Sequence, residues 1–186
     1  MSKNVFLTVL LSVVMGLSVS AQKFKPSPVF LKGEKEINVL FDYSQVKFDG
    51  DSQEKYYKEK GGDWVDEWEG KRRENNAKSF LTSLNDELKK VDVDTGDYPQ
   101  AQYTIIVEVL DCNFGTYAGP FSITAKVTCT LRIVKTGTTE TLASITLRES
   151  QNSSTVIATP VDFDRIYLAF GEVGEALGDQ LKKILK

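Results

Sequence analysis

Four aromatic residues in a charged stretch, Tyr56, Tyr57, Trp64 and Trp68, are the best candidates in this sequence for binding chemistry. Trp64 and Trp68 are four apart, so on a helix they share a face. Exposed, such an indole pair is a stacking platform for a sugar ring or a peptide side chain. Buried, it pins the charged segment to the body of the domain, which is the commoner use of tryptophan. The four residues form the candidate binding surface.

The carboxylates suggest less. Asp49, Asp51 and Glu54 lie close together, as do Asp92, Asp94 and Asp97. A calcium loop of twelve residues needs glycine at its sixth position and glutamate at its twelfth. Counted from Asp49 those positions hold Glu54 and Lys60; counted from Asp92 they hold Asp97 and Tyr103. Both clusters read as solvated turns, and no metal site is expected. Asp63, Asp66, Glu67 and Glu69, followed by Lys71, Arg72 and Arg73, read as a charged helix surface. As a pair of catalytic acids they would need a cleft between them.

Histidine is absent. That removes Ser-His-Asp and Cys-His triads and every His-ligated metal centre. Gly115-Thr116-Tyr117-Ala118-Gly119-Pro120 has neither the spacing of a phosphate loop nor a helix after it, so no cofactor is expected. Asn152-Ser153-Ser154 is a glycosylation sequon, relevant only in a eukaryotic secretory host.

The chain opens with Lys3, an apolar run from Val5 to Leu17, and the small-residue exit Val19-Ser20-Ala21. This order is that of a secretory signal peptide over residues 1–21, cleaved after Ala21 to leave Gln22 first. Its Ser/Gly-rich second half suits a stable membrane span poorly, and no later segment is apolar enough for one. Cleavage takes away Lys3 and no acidic residue, leaving 22 Lys+Arg against 26 Asp+Glu, a net charge of −4. A mildly acidic surface gives no reason to expect nucleic acid as a partner.

Residues 22–35, with two prolines, read as an extended arm, and 36–186 as a single domain. Glu36–Ser44 alternates, with Ile37, Val39 and Phe41 on one side, and is a first strand. Ala77, Phe80, Leu81, Leu84, Leu88 and Val91 make the stripe of a helix. Strands follow over Tyr103–Asp111, Ser122–Val134 and Thr141–Arg148, the last two joined through Gly137. Asp162–Leu185 is a long amphipathic helix with Asp162 as its N-cap and Phe163, Ile166, Tyr167, Phe170, Val173, Leu177, Leu181, Ile184 and Leu185 on its apolar side. The resulting fold is α+β in the order β-α-β-β-β-α: one mixed sheet of about four strands, both helices on one face. Ile106 and Leu110 lie on the other side of the central strand.

Two cysteines in an exported protein invite a disulfide. Strand parity argues against it. Cys129 shares a face with Ala125, Val127, Leu131 and Ile133, whereas Cys112 falls opposite the face of Ile105, Val107 and Val109, unless a bulge intervenes near Asp111. Free thiols are the expected state.

The stretches INVLFDYS, WVDEWEGKRRENNAKSFLTSLNDELKK, YTIIVEV and DRIYLAFGEVGEALGDQLKKILK together resemble a family of exported proteins of unknown function from gut Bacteroidetes. More distantly, the order of elements is similar to small α/β modules of the bacterial envelope, such as the N-terminal domain of the Tol-system periplasmic protein and curli-secretion lipoproteins. The resemblance implies an envelope location and brings no catalytic residue with it. The expectation is a non-enzymatic exported or periplasmic binding or envelope-assembly module, with an envelope protein or glycan as partner. The alternatives are a carboxylate-based glycan hydrolase and a structural cell-surface protein.

Overall fold

The computed structural model describes residues 22–118, 122–151 and 161–186. Residues 1–21, on which the signal-peptide expectation falls, the sequon and the Gly119-Pro120 end of the glycine-containing loop lie outside them. The fold is α+β, built on one mixed sheet. Its long strands are β1 (Glu36–Asp42), β5 (Tyr103–Asn113), β6 (Lys126–Lys135) and β7 (Thr141–Ser150), with β5 between β1 and β6. β1 runs parallel to β5, from Asn38 opposite Thr104 to Asp42 opposite Glu108, as a helical crossover requires. The β5–β6 and β6–β7 pairs are antiparallel.

The sheet has more strands than the four expected. β2 (Lys47–Phe48) pairs with β5 beyond the end of β1, β3 (Asp51–Ser52) pairs with β2, and β4 (Asp94–Gly96) runs parallel to the start of β1. Strands of two or three residues are too short to show an alternating pattern, so only long-range pairing defines them. Residues 22–35 are tethered to the body. Lys25 exchanges backbone hydrogen bonds with Ser144 on β7, and Phe24 and Leu31 are buried.

Between β3 and β4 lies a helical run: α1 (Gln53–Lys60), α2 (Gly62–Glu67), a π turn (Trp68–Arg72), and α3 (Arg73–Leu88). Gly61, at φ 85°, breaks α1 from α2, and Gly70 leaves helical geometry where the π turn kinks. Phe80, Leu84 and Leu88 of α3 are wholly buried. α4 (Asp162–Leu185) packs along α3 and over β6 and β7, burying Ile166, Phe170, Val173, Leu177 and Leu181.

Two details of α4 differ from expectation. Asp162 begins the helix instead of capping it, because its carboxylate accepts a 2.6 Å bond from Arg165. Tyr167 turns outward and is 39% exposed, because its position lies at the edge of the stripe.

The opposite side of the sheet bears Thr128, Thr130 and the Arg132–Glu108 ion pair, with Ile106 and Leu110 half-buried and Leu40 exposed. A register shift between Val109 and Asp111 places Cys112 on the core side after all. The bulge reverses the alternation on which the parity expectation rested. Both cysteines are nonetheless free and buried.

Candidate functional site

The aromatic segment closes on itself. Phe48 of β2 is its hub, with ring centroids 5.1 Å from Tyr56, 5.5 Å from Trp64 and 5.0 Å from Trp68. The two indoles stack at 5.9 Å with planes 10° apart, as their spacing predicts. They stack inside, however. Trp68 is fully buried, Tyr56 is buried, and Tyr57 and Trp64 are half-buried. Phe114 from the end of β5 and Phe163 from the head of α4 complete the cluster.

Its two phenol hydroxyls are also engaged, whereas the buried Trp68 indole N–H has no hydrogen-bond partner. The Tyr56 hydroxyl donates to Asp49 at 3.2 Å, and the Tyr57 hydroxyl donates to Glu69 at 3.1 Å while accepting from Gln53. Burial, then the nearby Asp49 charge, pushes the Tyr56 phenol up; burial does the same for Tyr57. These four residues therefore do not make an open stacking platform. Large aromatic surfaces leave water when a neighbouring apolar strand and helix can cover them.

The acidic turn residues have structural work. Asp49 sits at φ 54° and accepts from the Phe114 N–H at 2.9 Å, while Asp111 accepts from the Gly50 N–H. Together they clip the β2–β3 turn to the end of β5. Burial raises the Asp111 carboxyl, and Asp49 adds to the shift. Asp92 pairs with Lys35, and Asp94 accepts from the Tyr98 hydroxyl. Among the described residues no group of His, Cys, Asp or Glu is placed to hold a metal ion.

A concavity of about 390 Å³ opens beside the aromatic cluster, between the heads of α3 and α4. Asn75, Asn76 and Lys78 line it from α3, and Asp164, Tyr167 and Leu168 from α4. Arg72 closes one end. Its guanidinium is 2.6 Å from Glu67 and 3.3 Å from Asp164, and lies 4.8 Å over the Phe163 ring. That cation is already neutralised.

Asn76 is only 2% exposed, and its Nδ2 has no hydrogen-bond partner. Lys78 is exposed and makes no ion pair with a described residue. A second concavity of about 250 Å³ shares Tyr167 and Leu168 with the first and is lined further by Ser83 and Glu172. No spacing rule flags these residues, because they come from helices nearly ninety positions apart. The only sequence signal is the amide pair Asn75-Asn76 at the start of the stretch that carries the helical stripe.

No family model and no curated protein matches this chain. Among solved structures it is similar to the PelC dodecamer from Paraburkholderia phytofirmans, at 10% identity and a TM-score of 0.39, over 75% of this chain and 88% of that one. A second PelC dodecamer from the same organism, of a variant, aligns at 9% identity and a TM-score of 0.37, over 83% and 97%. Likeness at that level transfers neither assembly nor function.

Proposed function

We propose that this chain is an exported, non-enzymatic binding or envelope-assembly module that takes its ligand in the groove between the heads of α3 and α4. One observation carries the reading. The indole cluster is enclosed by packing, the unpaired Trp68 N–H with it, whereas the groove brings together an unpaired buried amide, a cation without a described partner and an exposed aromatic ring. Concave sites with a few converging polar groups on rigid elements are where small ligands bind. Export rests on the leader-like residues 1–21. No helix among the described residues is long and apolar enough to cross a membrane.

The glycan-hydrolase alternative needs two acids facing each other across a cleft, about 5–10 Å apart. Asp49 and Asp111 are neighbours, yet both are occupied as acceptors in a turn. They favour no second reading.

The test is comparative capture from envelope extracts with wild-type protein and Asn75→Trp, which fills the groove from a half-buried position on α3. Wild type is expected to retain material that the variant loses, with unchanged thermal unfolding for both. Identical retention by the two proteins would sink the groove as the binding site.

A further inference from the structure

We propose that the α3–α4 groove seats a neutral saccharide ring, a reading that rests on the groove being the binding site. Three classes of occupant can be separated by the chemistry of the lining.

A strongly anionic ligand fits poorly. Arg72 is spent on Glu67 and Asp164, which leaves Lys78 as the lining cation without an ion-pair partner among the described residues. The net field is close to neutral. An apolar ligand fits no better, since it would strip water from Asn75, Lys78 and Asp164 and return no hydrogen bond. A polyhydroxylated ring satisfies both conditions. Each hydroxyl donates and accepts, and each amide does the same, so amide pairs and hydroxyls saturate one another. The ring's C–H face can lie against Tyr167 and Leu168, the apolar part of the wall.

Asn76 is the sharpest indication. A buried amide N–H without an acceptor is a cost that folding does not recover by itself. Sugar hydroxyls supply the missing acceptor, directly or after the half-turn that exchanges the amide nitrogen and oxygen. The volume of about 390 Å³ falls within the range of small-molecule sites. The adjoining concavity of about 250 Å³ shares the Tyr167 and Leu168 wall with the groove.

The experiment is an amide-shift titration by NMR of the purified protein. The probes are a cello-oligosaccharide and a chito-oligosaccharide, with succinate and a short apolar peptide as the competing chemistries. The saccharides are expected to shift the amides of Asn75, Asn76, Tyr167 and Leu168. Asn76→Leu removes the unpaired donor at similar size, so its melting temperature is expected to stay at or above wild type. Its saccharide affinity is expected to fall about tenfold or more. Groove shifts with succinate or peptide but with neither saccharide overturn the ligand class and leave the groove as a binding site. No groove shift with any probe overturns both. Undiminished saccharide binding by Asn76→Leu overturns the inference as well, because the buried amide would then play no part.

Discussion

At the scale of single residues, burial decides which chemistry is available. Cys112 and Cys129 lie on the core side of adjacent strands, yet Cys129 stands opposite Val109 and Cys112 opposite Val127, which makes the two thiols diagonal neighbours. Diagonal positions on one sheet face are about 7–8 Å apart, whereas disulfides span Cα separations up to about 6.8 Å. Burial also pushes both thiols up, so neither offers a reactive thiolate. A thiol reagent is therefore expected to label neither cysteine in the native protein and both after unfolding without reductant. A denatured protein that takes up no label until reductant is added would mean that a bridge exists. Arg165 shows the converse. It is 1% exposed, and its guanidinium donates to the Phe114 carbonyl and to Asp162, which holds the end of β5 against the head of α4.

At the scale of elements, the α3–α4 contact is set by what α4 lacks. Gly171, Gly174 and Gly178 face α3. A Cβ on Gly174 would stand 2.2 Å from the Phe80 carbonyl oxygen, a backbone atom that cannot step aside. Gly171 would meet the Ser79 Oγ at 3.0 Å, and that hydroxyl is already bound to the Tyr167 carbonyl. Gly174→Ala is expected to lower stability by about 1–3 kcal/mol in denaturant unfolding, the usual cost of overpacking. Gly62→Ala, whose Cβ would enter open space at the start of α2, serves as the control and is expected to be neutral or slightly stabilising. Because these glycines let the helices approach closely, they also set the depth of the groove above them. Equal stability of Gly174→Ala and wild type would mean that the helices separate without cost.

At the scale of the whole molecule, the two helices are also joined by charge near their C-terminal ends. Glu87 accepts from Lys182 of α4 and from Lys90 at 2.5 Å. Those bonds, Lys182 first, push its carboxyl down to about 2. A carboxylate whose folded pKa lies below its unfolded value, about 4.3, stabilises the fold above that value. The contribution drains away as pH falls through the folded pKa. Glu149 and Glu172 have the opposite sign, since burial raises both and their ionised forms cost stability that protonation returns. Glu87→Gln is expected to lower stability near neutrality and to flatten the stability profile between about pH 4.5 and 2. Parallel acid limbs for the two proteins would show that the Glu87 pair contributes nothing on folding.

Much of this molecule was legible in the residues themselves. Period-two alternation located β1, β5, β6 and β7, and the 3.6-residue stripes located α3 and α4, because each pattern reports a single buried face along a continuous segment. The four-residue spacing of Trp64 and Trp68 correctly implied one shared face. It could not say whether water or Phe48 would meet that face, since Phe48 arrives through a two-residue strand with no pattern of its own. The Val109–Asp111 bulge likewise escapes a parity count, because a register shift depends on the partner strand. The groove was hidden for the same reason. Asn76 and Tyr167 acquire their meaning only where two helices, distant along the chain, are drawn together by glycines. Local periodicity determined the elements; which side chains stayed in contact with solvent was decided by packing between them, a property no single segment contains.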